Sequence, residues 1–154
     1  MTAGKWVVLA LVATAIAAGV GLWYAQTQAW YGPVDTPDIT FSAPDGTPME
    51  RPLLAFEGID ASTSPLRYRA CFALDPSEVA PLIEAGMAYD TPEPLVAPGW
   101  FECYDAETIA LALDRDEATA ILGVRNIATG VDRVIALFPD GRGFAWHQLN
   151  GTLE

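Results

Sequence analysis

Residues 6–24 contain no charged side chain, and this run constrains the fold more than any other feature of the sequence. As a helix, the run would be about 28 Å long, close to the ~30 Å hydrocarbon thickness of a bilayer. Trp6 stands at its start, and Trp23 and Tyr24 stand at its end. Aromatic rings at both ends are typical of the two membrane interfaces. The run therefore predicts one transmembrane helix over residues 6–24.

Two other interpretations of this run remain open. Thr27 and Ala29 fit the small-residue positions of a signal-peptide cleavage site before Trp30, although the apolar core of a signal peptide has only about 7 to 15 residues. The run could also be a buried helix of a soluble domain, but no charge interrupts it. Its length and uninterrupted apolar character favour the membrane anchor.

Positive charge sets the predicted orientation. Lys5 precedes the helix, and the next basic residue is Arg51. Because basic residues stay on the cytoplasmic side, residues 1–5 are predicted to be cytoplasmic. Residues 25–37 would be a juxtamembrane linker, and residues 38–154 an extracytoplasmic domain. In a bacterial cell, the helix would lie in the inner membrane and the domain on the periplasmic side.

Small residues recur on one face of the predicted helix. Ala13, Ala17 and Gly21 are spaced by four residues. Such a face allows two helices to approach closely in lipid. It indicates a packing seam for another membrane protein, with ordinary alanine and glycine usage as the alternative.

Acidic residues dominate the rest of the chain. All 20 acidic residues follow the helix, as does every basic residue except Lys5. This field repels nucleic acid and anionic lipid headgroups, so no nucleic-acid partner is predicted. The charges are scattered without a run of five, which is typical of a folded, solvated domain rather than an acidic tail.

Hydrophobic patterns predict an α+β domain, an antiparallel sheet with two short helices. Asp75 and Asp105 are predicted to cap the helices, with Glu78 completing a capping box at the first. The strand over residues 131–138 is apolar on both faces and is expected to be central. The predicted strands cover residues 38–42, 53–59, 66–74, 100–104, 118–127, 131–138 and 143–149.

No motif points to catalysis. His147 is the only histidine, and the G-x-S-x-G motif of a nucleophilic serine is absent. Clustered Cys and His ligands for zinc, a calcium loop and a glycine-rich phosphate loop are also absent from the sequence. We expect His147 to be a partly buried structural residue. No catalytic residue, metal or cofactor is predicted.

Cys71 and Cys103 are the only cysteines. In an extracytoplasmic domain a disulfide between them is the expected state. Two unpaired buried thiols, or redox or metal chemistry, are the alternatives.

Arg67 and Arg69 accompany Cys71 on one face of a predicted strand. They could bind an anion or dock a partner, and they would lower the pKa of a reduced Cys71. The alternative is local pairing with the acidic surface.

Four segments resemble a family of small single-pass membrane proteins from alphaproteobacteria, a family without an assigned activity. Some of its members carry a histidine-kinase label, but this chain has no glycine-rich nucleotide motif and no room for an ATP-binding domain. The segments are RYRACF (67–72), APGWFECYDAE (97–107), GVRNIATGVDRV (123–134) and FPDGRGFAWHQLN (138–150).

The sequence favours a membrane-tethered, non-enzymatic domain that acts by contact, as an accessory or assembly partner of a larger membrane complex. The alternative function is a small-ligand-binding or thiol-active extracytoplasmic domain that uses Arg67, Arg69 and Cys71.

Overall fold

The computed structural model describes residues 2–152. Met1, at the start of the predicted cytoplasmic segment, and residues 153–154, at the end of the predicted domain, lie outside the described residues. The predicted α+β fold is confirmed: an apolar helix is followed by an antiparallel-sheet domain with two short helices. The helices are α1 (Ala3–Thr27), α2 (Pro76–Ala85) and α3 (Ala106–Asp114).

Helix α1 stands apart from the core of the domain. None of its 25 residues is buried. The hydroxyls of Thr14 and Thr27 donate to the carbonyls of Ala10 and Trp23, each at 2.8 Å, so neither needs an outside partner. The helix is long and apolar enough to cross a membrane.

Six strands form one antiparallel sheet in the order β1-β4-β5-β8-β7-β6, and β2 pairs with β3 in a separate hairpin. Strand β7 lies between β8 and β6 and all its residues are buried, as its apolar pattern predicted. The strands are β1 (Gly32–Pro33), β2 (Phe41–Ser42), β3 (Pro48–Met49), β4 (Ala55–Asp60), β5 (Arg69–Ala73), β6 (Thr119–Ala128), β7 (Val131–Leu137) and β8 (Arg142–Leu149).

The sheet carries an apolar cluster on each face, because its strands place alternate side chains on opposite sides. We call the face that packs on Val79 and Leu82 of α2 the α2 face. The opposite face packs on Ile109 and Ala112 of α3, and we call it the α3 face.

Both predicted helix caps are present. Asp75 accepts a hydrogen bond from the Ser77 amide at 2.9 Å, and Asp105 accepts from the amides of Glu107 and Thr108. The capping box predicted for Glu78 is wrong: its carboxylate lies 3.3 Å from Arg51 Nε instead.

The strand predicted over residues 100–104 is wrong, since this segment consists of turns. The Phe101 amide donates to Pro98 O, and the Tyr104 amide donates to Phe101 O. Phe101 and Tyr104 are buried three residues apart, a spacing that a strand would send to opposite faces. The sequence also missed β1 and β3, two-residue strands that each contain a proline and pair with one neighbour only.

Candidate functional site

A cleft of about 520 Å³ opens beside the loop between β4 and β5. Acidic, basic and hydroxyl side chains meet around its concave surface. Asp60 comes from the end of β4, Arg133 from β7 and His147 from β8. The other lining residues are Ala61, Ser62, Ser64, Pro65, Ile127 and Ala128.

Asp60 is the carboxylate of the cleft. Partial burial raises the pKa of Asp60 above its ordinary value, while the Ala61 amide, Arg133 and Arg69 act in the opposite direction. Its carboxylate accepts from the Ala61 amide at 2.7 Å. Asp60 is therefore a desolvated acid that makes only a local backbone contact, which leaves its second oxygen for a ligand.

His147 is fixed on both sides of its ring. Its Nε2 lies 3.1 Å from Arg133 Nε; an arginine can only donate, so Nε2 accepts. Nδ1 therefore carries the proton and donates to Pro65 O at 2.6 Å. Burial is the main cause that lowers the pKa of His147 to about 4. With both nitrogens engaged, this imidazole has no free position for acid–base catalysis.

Arg133 contacts several residues at the back of the cleft. It is 3% exposed, and its Nη1 donates to the carbonyl oxygen and the carboxylate of Asp38. The guanidinium also lies 4.2 Å from the centre of the Tyr68 ring. The ring of His147 stacks on the same tyrosine, with centroids 4.6 Å apart. Nε and Nη1 of Arg133 are thus paired within the protein, and Nη2 forms no hydrogen bond with the described residues.

The hydroxyls and acids of the cleft are placed as follows. Ser64 Oγ accepts from the Leu66 amide at 3.3 Å and does not bond to the histidine. Within residues 2–152, no three Cys, His, Asp or Glu side chains lie together in a way that could hold a metal ion.

Arg67 and Arg69 do not form one exposed patch. Arg69 is 4% exposed, and its guanidinium donates to four carbonyl oxygens, those of Leu66, Tyr68, Leu95 and Val96. Arg67 is half-buried and lies over the Tyr31 ring, with its guanidinium carbon 5.4 Å from the ring centre. Of the two, Arg69 is committed to internal contacts, and an anion or partner could reach only Arg67.

Cys71 and Cys103 are joined as a disulfide, with their Cα atoms 6.3 Å apart. The bond links β5 to the turns before α3, on the α3 face. Joined in this way, neither sulfur is a thiol, so this region offers no nucleophile.

Ala13, Ala17 and Gly21 lie exposed along α1. A Cβ added to Gly21 would meet no atom within 4 Å. The described chain thus leaves the predicted seam open to another helix or to lipid.

Asp60 and Arg133 were missed as site residues. One signal for Arg133 was present in the sequence: it is a charged residue inside an otherwise apolar strand, where burial demands partners. His147 lies opposite Arg133 on the adjacent strand β8, whereas Asp38 is 95 residues away in the chain, and no local pattern indicates that contact.

The cleft and both faces of the sheet fall within the part of the chain that is shared with other proteins. No curated protein and no solved structure matches the chain. A family described as "Family of unknown function (DUF6446)" matches residues 39–154, from just before β2 onward, so that α1 lies outside the match. The chain belongs to this DUF6446 family of unknown function.

Proposed function

We propose that this protein is a membrane-anchored, non-enzymatic domain that acts as an accessory or assembly partner of a larger membrane complex. The observation that carries the proposal is the bare surface of α1. Its large apolar side chains, among them Leu11 at 66% exposed and Ile16 at 61%, have no cover from the domain. In water, this surface would be strongly unfavourable, at about 25 cal/mol per Å² of apolar area.

The chemistry of the domain supports a contact role. The one histidine has both nitrogens engaged, and the cysteines are joined. An exposed, small-residue face at Ala13, Ala17 and Gly21 offers a surface for a second transmembrane helix.

The test is co-purification of the full-length protein, tagged at its carboxyl terminus, from native membranes in mild detergent. We expect one membrane complex at fixed stoichiometry. Replacing Ala13, Ala17 and Gly21 with leucine should abolish the association, since leucine prevents close helix approach.

A matched control comes from the same helix. The face formed by Ala15, Ala18 and Gly19 is centred about 150° away around the helix axis, and their replacement with leucine should leave the complex intact. Equal loss in both triple variants would show that the seam is not specific. Migration of the wild type alone, at monomer or dimer mass, would refute the accessory role.

Orientation and retention of the anchor are tested separately. We propose that the amino terminus is cytoplasmic and that the domain lies on the periplasmic side of the inner membrane, supported by Lys5 and the positive-inside rule. Alkaline phosphatase fused after the domain should be active, and the intact mass should include residues 6–24. A mature chain starting at Trp30 would instead identify a cleaved signal peptide.

The second candidate function is binding of a small zwitterion in the cleft. The observation in its favour is that Asp60, with its raised pKa, faces the same cleft as buried Arg133. Free amino acids are suitable probes, because they present an ammonium and a carboxylate together. Binding should raise the thermal midpoint of the full-length protein in detergent. Asp60→Asn should abolish that increase, whereas Asp35→Asn, at an exposed position, should not.

A further inference from the structure

The end of α1 meets a loop of the domain through Trp100. The indole Nε1 of Trp100 donates to the carbonyl oxygen of Thr27 at 2.6 Å. Thr27 is the last residue of α1 and has no successor within the helix to pair its carbonyl. Trp100 thus pairs a carbonyl that the helix leaves free at its end. This bond fixes the height of Trp100 along the helix axis.

That height falls at the membrane interface, if α1 spans the bilayer as proposed above. The apolar run ends at Tyr24, and Thr27 follows about 4.5 Å further along the axis at 1.5 Å per residue. The headgroup region extends about 5 to 7 Å beyond the hydrocarbon on each side. A side chain bonded to Thr27 therefore lies within the headgroup region.

The residues around Trp100 have the chemistry that this region favours. Trp100 is 41% exposed and Trp30 is 53% exposed. Tyr31 packs edge-on against Trp100, with ring centroids 6.0 Å apart. Amphipathic rings are stable where one end meets hydrocarbon and the other meets water.

Arg67 adds a cation to this group. Its guanidinium lies over the Tyr31 ring, and it forms no ion pair with a carboxylate in the part of the chain that the structure describes. Its Nη1 is buried without a hydrogen-bond partner. A lipid phosphate at the level of Tyr31 would supply the missing acceptor after a small movement of this side chain.

We propose that Trp100, Tyr31, Trp30 and Arg67, here called the aromatic collar, form a second membrane contact that seats the domain on the headgroups of zwitterionic phospholipid. The acidic excess of the domain excludes an anionic surface as the preferred partner. The proposal rests on the membrane anchor, and it adds that the domain is held at a fixed height and does not swing on a free linker.

The test uses the full-length chain labelled with 5-fluorotryptophan in phosphatidylcholine nanodiscs. Its five tryptophans give five ¹⁹F signals, assigned by single Trp→Phe variants. A fraction of the lipid carries a nitroxide on the headgroup. We expect the Trp100 and Trp30 signals to broaden several-fold more than that of Trp146, which is fully buried in the sheet.

Two outcomes separate the collar from the anchor. If the ¹⁹F signals of Trp6 and Trp23 broaden but that of Trp100 broadens no more than that of Trp146, the collar is overturned. The anchor then remains supported. A chain that does not enter nanodiscs at all would overturn both. Arg67→Gln provides a second measurement. Relative to empty nanodiscs, the ³¹P linewidth of the lipid should change less when the variant is inserted than when the wild type is inserted. Equal changes for the two proteins would remove Arg67 from the collar.

Discussion

The two faces of the sheet are covered in different ways. The α2 face lies under a helix and the β2–β3 hairpin, regular elements that pair most of their own backbone groups. The α3 face lies under α3 and an irregular segment, residues 89–104. An irregular cover pairs few of its own amides and carbonyls, so the sheet must supply partners for others.

Those partners are polar side chains of the α3 face. Arg69 donates to the carbonyls of Leu95 and Val96. Gln148 accepts from the Glu93 amide at 2.8 Å and donates to the Thr91 carbonyl at 2.9 Å. The Cys71–Cys103 disulfide fixes the end of the segment. Helix α2 packs on the sheet through apolar side chains, whereas residues 89–104 are also held by directed bonds.

Each face also contains one buried arginine. Arg133, on the α2 face, has a carboxylate partner in Asp38. Arg69, on the α3 face, has only carbonyl oxygens and the Tyr104 ring, 5.8 Å from its guanidinium carbon. Its direct partners are therefore dipoles and not a carboxylate, and burial lowers the pKa of Arg69.

The largest effect is expected for Arg69→Met. Four carbonyls would lose their donor, and the free energy of unfolding should fall by about 3 to 5 kcal/mol. Urea unfolding of the full-length protein in detergent, followed by tryptophan fluorescence, measures this loss. Arg115→Met, at an exposed position, should change stability by less than about 0.5 kcal/mol. If the free energy of unfolding fell equally little in both variants, the irregular cover would not depend on Arg69.

Loss of the disulfide should have the next largest effect. The cysteines are 32 residues apart, and the chain-entropy relation gives about 3 to 4 kcal/mol for a loop of this length. Reductant should weaken the wild type, whereas the double variant Cys71→Ser/Cys103→Ser should not respond to it. Hydrogen exchange should accelerate first in residues 89–104 and later in α2. Simultaneous loss of protection on both faces would contradict the distinction between them.

The regular cover was largely predictable from sequence, and the irregular cover was not. Period-two patterns identified the long strands, and Asp75 and Asp105 marked the helix starts, because these signals depend on neighbours in the chain. No predicted strand covers residues 87–99. Their bonds to Arg69 and Gln148 span 26 to 57 residues, and no local pattern encodes such pairings.

The same limit applies to the cleft. His147 was expected to be a partly buried structural residue; it is 5% exposed, and both of its ring nitrogens bond within the protein. Arg133 and Asp60 were not chosen, because their approach depends on the order of β4, β8 and β7 in the sheet. The conclusion that Arg69 is internal likewise required the fold of the loop above it.

Acid should act on the α2 face through His147. The pKa of His147 is about 4 in the folded chain against 6.5 ordinarily, so the unfolded chain binds more protons between these values. Stability is then complete above pH 6.5 and falls as the pH drops, by about 3 kcal/mol at pH 4. Asp60, with its raised pKa, opposes this trend.

Comparison with His147→Gln isolates the histidine. We expect the difference in urea midpoint between pH 7 and pH 4 to be smaller in this variant than in the wild type. At pH 4.5, exchange should increase near Pro65, whose carbonyl accepts from His147, before it increases in residues 89–104. An unchanged pH dependence would show that the pKa of His147 is the same in the folded and the unfolded protein.

The smallest effects are expected from removing one polar side chain that bonds the cover to the sheet, on each of the two faces. Gln148→Leu leaves the Glu93 amide and the Thr91 carbonyl of the irregular cover unpaired, together with the buried Trp146 indole N–H, and should cost about 2 kcal/mol. Ser42, in the hairpin over the α2 face, donates to Gly123 O at 2.7 Å. Ser42→Ala removes a single donor and should cost about 1 kcal/mol. Urea unfolding of both variants under identical conditions measures the two losses.

Hydrogen exchange separates the two variants further. Because the hairpin keeps its own backbone hydrogen bonds, Ser42→Ala should leave hydrogen exchange over the α2 face unchanged, whereas Gln148→Leu should accelerate it in residues 91–93. If Ser42→Ala lost more stability than Gln148→Leu, directed bonds would matter more under the regular cover. The difference between the faces would then lie in the disulfide alone.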